Sequence, residues 1–367
     1  MTFDDKILSV LKEYPQGTAF LAAVSGGADS AAMLVSLCHL LKNSNFNFKL
    51  AAVHVEHGLR SAKESRGDAE FVRDFCAANG IECYIKNIRR GKIADFAARK
   101  RCGIEAAARN FRHKTFFKYA ALSGENTVIL LAHTKDDLLE TSLMRVLRGA
   151  GPAGLAAFSK DNAECAVKKI CRPLLSFYKA EVIEYLKTKN IGWREDSTNA
   201  DEKFLRNKIR RRLTPLLNEY FPSWKTNVAA LAETQSLVAG FLVREAALRI
   251  KWEEEDLNAN RAKQRGQVKK VFSADLNNFF SQPQIIREEA LFLGINKLFS
   301  KQDNTPKKSI KRSVIRRFCS QEINSADLGS LRIRRENNKV LIFRESTEFF
   351  ECGISRLIGI KTHYTHE

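Results

Sequence analysis

From residue 19 to residue 147 the chain alternates between two kinds of segment, and that alternation restricts the fold more than any other feature. Residues 19–24 (AFLAAV), 48–55 (FKLAAVHV), 81–86 (IECYIK) and 127–131 (TVILL) are short and rich in apolar residues. Between and after them, residues 29–42, 63–79, 104–122 and 135–147 carry apolar positions at helical spacing. Strands that are apolar on both faces need helices on both faces. The expected fold is therefore α/β, a doubly wound and mostly parallel sheet.

The pattern changes farther on. Residues 178–189 (YKAEVIEYLKTK) predict one more helix, and Pro215 and Pro222 bracket a boundary. A catalytic domain over 1–215 is expected, followed by a region over 216–367 that is mainly helical. In that region, 224–256 and 283–300 have helical patterns, and 307–322 is basic and amphipathic. Residues 331–345 (LRIRRENNKVLIFRE) alternate around an Asn-Asn pair, which predicts a hairpin and a small β element.

The chain has 61 Lys and Arg against 42 Asp and Glu, a surplus of +19 in 367 residues. Such a surplus argues for a polyanionic partner, nucleic acid first, against the plainer reading of a generally basic surface. The stretches 203–212 (KFLRNKIRRR) and 307–317 (KKSIKRSVIRR) are the densest basic runs. No apolar run approaches the ~20 residues of a membrane span, and the first residues do not form a secretory signal. The eight cysteines contain no CxxC pair, so free thiols in a reducing, cytoplasmic setting are expected. His54 and His57 have no cysteine near them and do not read as a metal site.

Chemistry concentrates at two places. The first is Ser25-Gly26-Gly27-Ala28-Asp29-Ser30, between the first strand and the first helix. Two glycines let the backbone approach a ligand, the helix start favours an anion, and the two serines offer hydroxyl donors. Asp29 beside a bound phosphate calls for a cation, which points to Mg²⁺. A plain glycine turn with Asp29 or Ser30 as a helix cap is the competing reading of the same residues. The second place is AHTKDDLLET, residues 132–141. His133 lies at the carboxyl end of a predicted strand, where ligands of open α/β sheets bind. Asp137 and Glu140 share one helix face and suit a cationic amine. Thr134 and Asp137 equally spell a capping box.

A glycine-rich segment carrying Arg148 follows, RGAGPAGL over 148–155. With DDLLET before it, this resembles the tRNA(Ile)-lysidine synthase branch of the N-type ATP pyrophosphatases, the PP-loop family, whose SGGxDS loop matches residues 25–30. Further matching segments are HVEHGLR (54–60), EAAARNFR (105–112), RPLL (172–175), DSTN (196–199) and RNKIR (206–210), so the likeness spans about residues 19–218. Thr134 stands where the family often has a second His, Leu138 where it often has Gln, and His113 where it usually has Tyr. The C-terminal part matches loosely, and a second C-terminal module is expected to be absent or reduced.

The resemblance implies ATP-driven ligation of free L-lysine to C2 of the wobble cytidine of tRNA(Ile) with a CAU anticodon. AMP is first placed on the base oxygen and then displaced by the lysine amine, and the codon read changes from AUG to AUA. Ser25, Gly26, Gly27, Ala28, Asp29 and Ser30 would hold ATP, with Asp29 binding Mg²⁺. Arg112, His133 and Arg148 would stabilise the transferring phosphate, Arg112 being favoured over Arg109. Asp137 and Glu140 would bind lysine. Arg148, Arg206, Asn207 and Arg210 would contact the tRNA, and homodimerisation is left open. Two other functions fit the same loop, a tRNA thiolation enzyme using paired cysteines and an RNA-binding protein without catalysis.

Overall fold

Residues Ala19–Ala23 form strand β1, and its side chains leave water on both sides: Phe20, Leu21 and Ala22 are all buried. A strand buried on both faces must lie in the middle of a covered sheet. The computed structural model describes residues 1–58, 62–124, 126–156, 170–194, 205–255, 268–298, 312–328 and 331–345. Asp196–Asn199, Leu59, Arg60, Cys165, Cys352 and residues 307–311 lie outside the described residues. The chain forms two compact units, Met1–Leu237 and Val238–Glu367.

The first unit begins with α1 (Phe3–Leu11), β1, α2 (Ala28–Asn43), β2 (Lys49–Glu56), α3 (Ala62–Ala78) and β3 (Glu82–Asn87). It continues with α4 (Lys92–Lys100), α5 (Ile104–Leu122), β4 (Val128–Leu131), α6 (Lys135–Val146), the short α7 (Pro152–Leu155), β5 (Ile170–Cys171) and α8 (Lys179–Thr188). Then come α9 (Leu205–Lys208), a π-helical turn at Ile209–Leu213, α10 (Thr214–Tyr220) and the start of α11 (Trp224–Arg249). The strands stand in the order β3-β2-β1-β4-β5, all pairs parallel.

Alternation along the strands divides the core into two layers. Phe20, Ala22, Ala52, Val128 and Leu130 face one side, with residues of α1, α2 and α8. Leu21, Ala51, Val53, Ile129 and Leu131 face the other, with residues of α4 and α5. The doubly wound expectation therefore holds, and its strands lie within about a residue of their predicted bounds. From β1 the chain runs outward through β2 and β3, then returns to place β4 on the other flank of β1. The strand order thus reverses between β1 and β4, and a crevice opens at their carboxyl ends.

The second unit holds the end of α11, β6 (Glu253–Glu254), β7 (Val268–Asp275), α12 (Leu276–Ser281), α13 (Gln284–Leu298), α14 (Arg312–Cys319), β8 (Ser325–Leu328), β9 (Leu331–Glu336) and β10 (Lys339–Glu345). Its antiparallel sheet runs β6-β7-β10-β9-β8. The hairpin between β9 and β10 turns at Asn337 and Asn338, both with positive φ (48° and 58°), as a two-residue turn of that hand requires. The predicted helix over 224–256 ends at Arg249 instead, because Glu253 and Glu254 pair with β7. Helices α1 and α4 and strand β7 were not legible as separate segments.

Candidate active site

Both chemical segments read from the sequence emerge at the β1–β4 crevice. Val24 still donates its N–H to Val53 O (2.9 Å) before the chain leaves the sheet. The Ser25 N–H then donates to Ser30 Oγ (3.1 Å), the two hydroxyls lie 3.1 Å apart, and Ser30 Oγ donates to Gly27 O (2.9 Å). The hexapeptide is thereby closed into a ring. Gly26 sits at φ +88°, where a side chain is strained, and Gly27 caps α2 without a side chain. The first N–H groups of α2 therefore have no cap from within the loop and present an anion cradle.

Asp29, in the first turn of α2, accepts a hydrogen bond from Lys179 Nζ (2.7 Å). Burial pushes the Asp29 carboxyl above its ordinary pKa, and the Lys179 ammonium draws it back. Lys179 opens α8, where the helix dipole opposes a cation. Its own N–H donates to Asp136 Oδ2 (2.7 Å), which ties α8 to the start of α6.

Thr134 is the N-cap of α6, and both its N–H and its hydroxyl donate to Asp137 Oδ2 (2.9 and 3.2 Å). The capping box is thus real, and it occupies one carboxylate oxygen of Asp137. His133 Nδ1 accepts from Arg172 Nε (3.2 Å), which leaves the ring proton on Nε2. Burial pushes the pKa of His133 down to about 3, so the ring is a neutral donor.

Glu140 lies 4% exposed on the same helix, one turn from Asp137. Arg210 grips it with both arms, Nε to Oε1 at 2.7 Å and Nη2 to Oε2 at 3.0 Å. Arg206 adds an ion pair at 3.3 Å and donates to Thr141 Oγ1 (2.7 Å). Burial raises the Glu140 carboxyl, opposed by these two arginines. The π-helical turn that carries Arg210 precedes Pro215, which has no N–H for the carbonyl four residues back. Burial and the charge of Arg109 hold Arg112 below the ordinary guanidinium pKa. That environment does not match a solvated helix face.

The charges act on one another across the crevice. Asp137 raises both Asp29 and Glu140 and opposes the fall of His133, while Arg206 acts on His133, Arg112 and Glu140. The structure therefore brings together Asp29, Arg112, His133, Asp137, Glu140, Arg206 and Arg210. Asn207 is buried beside the two arginines. Arg148 stands apart, exposed beyond the far end of α6, an end that lies about 14 Å of helix rise from Asp137. Arg145, not Arg148, closes the glycine-rich segment, donating to Gly154 O (2.6 Å).

Sequence reasoning missed Lys179, Arg172, Arg194 and Asp68. A lysine at the very start of a helix was the available signal for Lys179; the others carried none beyond their place in matched or adjacent segments. The described cysteines form no disulfide with one another. Cys76 closes α3 and Cys83 opens β3, at the end of the sheet away from the loop.

A family model for the PP-loop domain matches residues 1–217. The chain belongs to the PP-loop family. The matched region is 41% identical over 208 residues to a tRNA(Ile)-lysidine synthase of Treponema denticola, covering 57% of this chain and 43% of that protein. It is 39% identical over 221 residues to one from Solibacter usitatus, covering 60% and 46%. The chain spans less than half the length of these curated relatives. Among solved structures, a U34-tRNA thiolase from Methanococcus maripaludis with its [4Fe-4S] cluster shares the fold: TM-score 0.53, 17% identity, 63% of this chain and 77% of that one. Among the described residues no helix is long and apolar enough to cross a membrane.

Proposed function

We propose that this PP-loop protein ligates L-lysine to C2 of the wobble cytidine of the minor tRNA(Ile), using ATP. One observation carries the reading: the PP-loop and the Asp137–Glu140 pair meet at the β1–β4 crevice, close enough for Asp137 to act on both Asp29 and Glu140. The names of the relatives across the same half of the chain support it. A polyphosphate has its cradle there, and a cationic amine has its carboxylates.

The chemistry follows from the charges. The C2 oxygen of cytidine is a poor leaving group. Its attack on the α-phosphate of ATP forms an O–P bond and expels pyrophosphate. Ser25, Gly26, Gly27, Ala28, Asp29 and Ser30 hold the leaving pyrophosphate. Neutral His133 donates from Nε2, and Arg112 adds positive charge toward the phosphate oxygens. Lysine's amine, with a reference pKa of ~10.4, enters protonated and must lose a proton before it attacks C2 and displaces AMP. Asp137 and Glu140 bind it. Glu140, whose carboxyl burial pushes above its ordinary pKa, is assigned that proton.

Mg²⁺ asks the protein for only one or two carboxylates, its other ligands being water and phosphate. Asp29, in the first turn of α2 beside the cradle, would supply such a carboxylate, exchanging Lys179 Nζ (2.7 Å) for the metal. When bound, the metal supplies counter-charge to the phosphates. Catalysis is assigned to residues 1–215, and tRNA contact to Arg148, Arg206, Asn207, Arg210 and the region 216–367. The +19 charge suits that partner.

The test is transfer of radiolabelled lysine to purified tRNA species with ATP. Incorporation confined to tRNA(Ile) with a CAU anticodon is expected, and incorporation into none of them removes the proposal.

A further inference from the structure

We propose that Arg194 is an additional phosphate-binding residue of the PP-loop, parked on Asp68 until a nucleotide's terminal phosphates draw it across. The inference rests on the nucleotide reading of that loop and extends it to a residue outside the family's signature hexapeptide.

The backbone places Arg194 first. Its N–H donates to Gly26 O (3.0 Å), so the segment after α8 is stitched to the loop at its one positive-φ residue. Trp193 packs against the core beside it and anchors the strand of chain. The side chain then leaves directly over the loop. Its Cγ lies 3.7 Å from the point where a Cβ on Gly26 would stand. Beyond Cγ the guanidinium reaches α3, where Nε donates to Asp68 Oδ1 (3.1 Å). It lies flat against Gly67, where an added Cβ would come within 2.8 Å of Nη2.

As a brace this pair is one-sided: the Asp68 side chain is only 10% exposed, but the Arg194 side chain is 46% exposed, so its guanidinium stays open to solvent. The backbone hydrogen bond already holds the loop without any side chain. As a ligand in waiting the same pair is apt. Arginine presents a planar fork that matches phosphate oxygens, and rotation beyond the anchored Cγ swings the fork around the loop. Asp68 competes for that fork while the cradle is empty. Phosphates in the cradle bring more negative charge than one carboxylate and win it.

The two partners should therefore respond in opposite directions. Calorimetric titration of the full chain with inorganic pyrophosphate and with ATP reads the effect, with thermal melting to show that each variant folds. Arg194→Ala is expected to bind pyrophosphate at least tenfold more weakly, with Arg194→Lys between it and wild type. Asp68→Asn, which frees the guanidinium, is expected to bind it a few-fold more tightly. A purely structural pair weakens binding in both variants, so a parallel loss in Asp68→Asn overturns the inference. So does wild-type affinity in Arg194→Ala. Should the wild-type chain bind neither ligand, the nucleotide reading itself fails, which is a different result from either.

Discussion

Asp137 carries two roles that one substitution can separate. Its Oδ2 accepts both Thr134 donors and caps α6, while its charge faces Glu140, Asp29 and His133. Asp137→Asn keeps an oxygen for the cap and removes the charge. Asp137→Ala removes both. Loss of the cap costs about 1 kcal/mol. In a unit of this size that lowers Tm by about 2–4 °C. Loss of a charged hydrogen bond to the lysine amine costs about 1.5–3 kcal/mol, or about 10- to 150-fold in affinity. The expected pattern is a melting temperature near wild type for Asp137→Asn, a lower one for Asp137→Ala, and a raised lysine KM in both, with ATP binding retained. The assay is initial-rate incorporation of labelled lysine with lysine as the varied substrate. Wild-type kinetics in Asp137→Asn would refute the amine-binding role and leave Asp137 as a helix cap.

His133 makes stability depend on pH in a definite direction. Its folded pKa of about 3 lies below the ordinary value of 6.5, so between those values the unfolded chain binds a proton that the folded chain does not. Its contribution is complete above 6.5 and is lost as pH falls toward 3. His133→Asn should flatten that part of a Tm-against-pH curve, and an unchanged slope would show that the ring is not the titrating group. In the second unit, a Cβ on Gly294 would stand 2.7 Å from the Trp252 ring and from Ile342 Cδ1. Gly294→Ala should cost about 1–3 kcal/mol by overpacking, measured by urea unfolding, without changing nucleotide affinity.

The parts of the site legible in the sequence are those whose physics is local. Gly26 and Gly27 between a strand and a helix announce a backbone that approaches a ligand, and the structure closes that segment through Ser25 and Ser30, five residues apart. Thr134 and Asp137 announce a helix start at three residues' distance. The Asn337-Asn338 turn needed only its own two residues and their flanking strands. Arg206 and Arg210 are legible as a basic run and as candidates for RNA contact; that both also pair with Glu140 is not. A run of arginines shows charge without showing its partner, and Glu140 lies seventy residues away from Arg210.

Sequence by itself therefore determined the class of fold, the loop, and the helix that presents the two carboxylates. Each follows from periodicity or from contacts within one turn of chain. Tertiary structure alone decided which charges meet. Lys179 reaches Asp29 across 150 residues and Arg194 reaches Asp68 across 126. The physical reason is the reversal of strand order at β1: it gathers the carboxyl ends of β1 and β4 and the start of α8 into one crevice. Residues remote along the chain are then held at hydrogen-bonding distance, and burial there pushes the pKa of His133 down and that of Glu140 up.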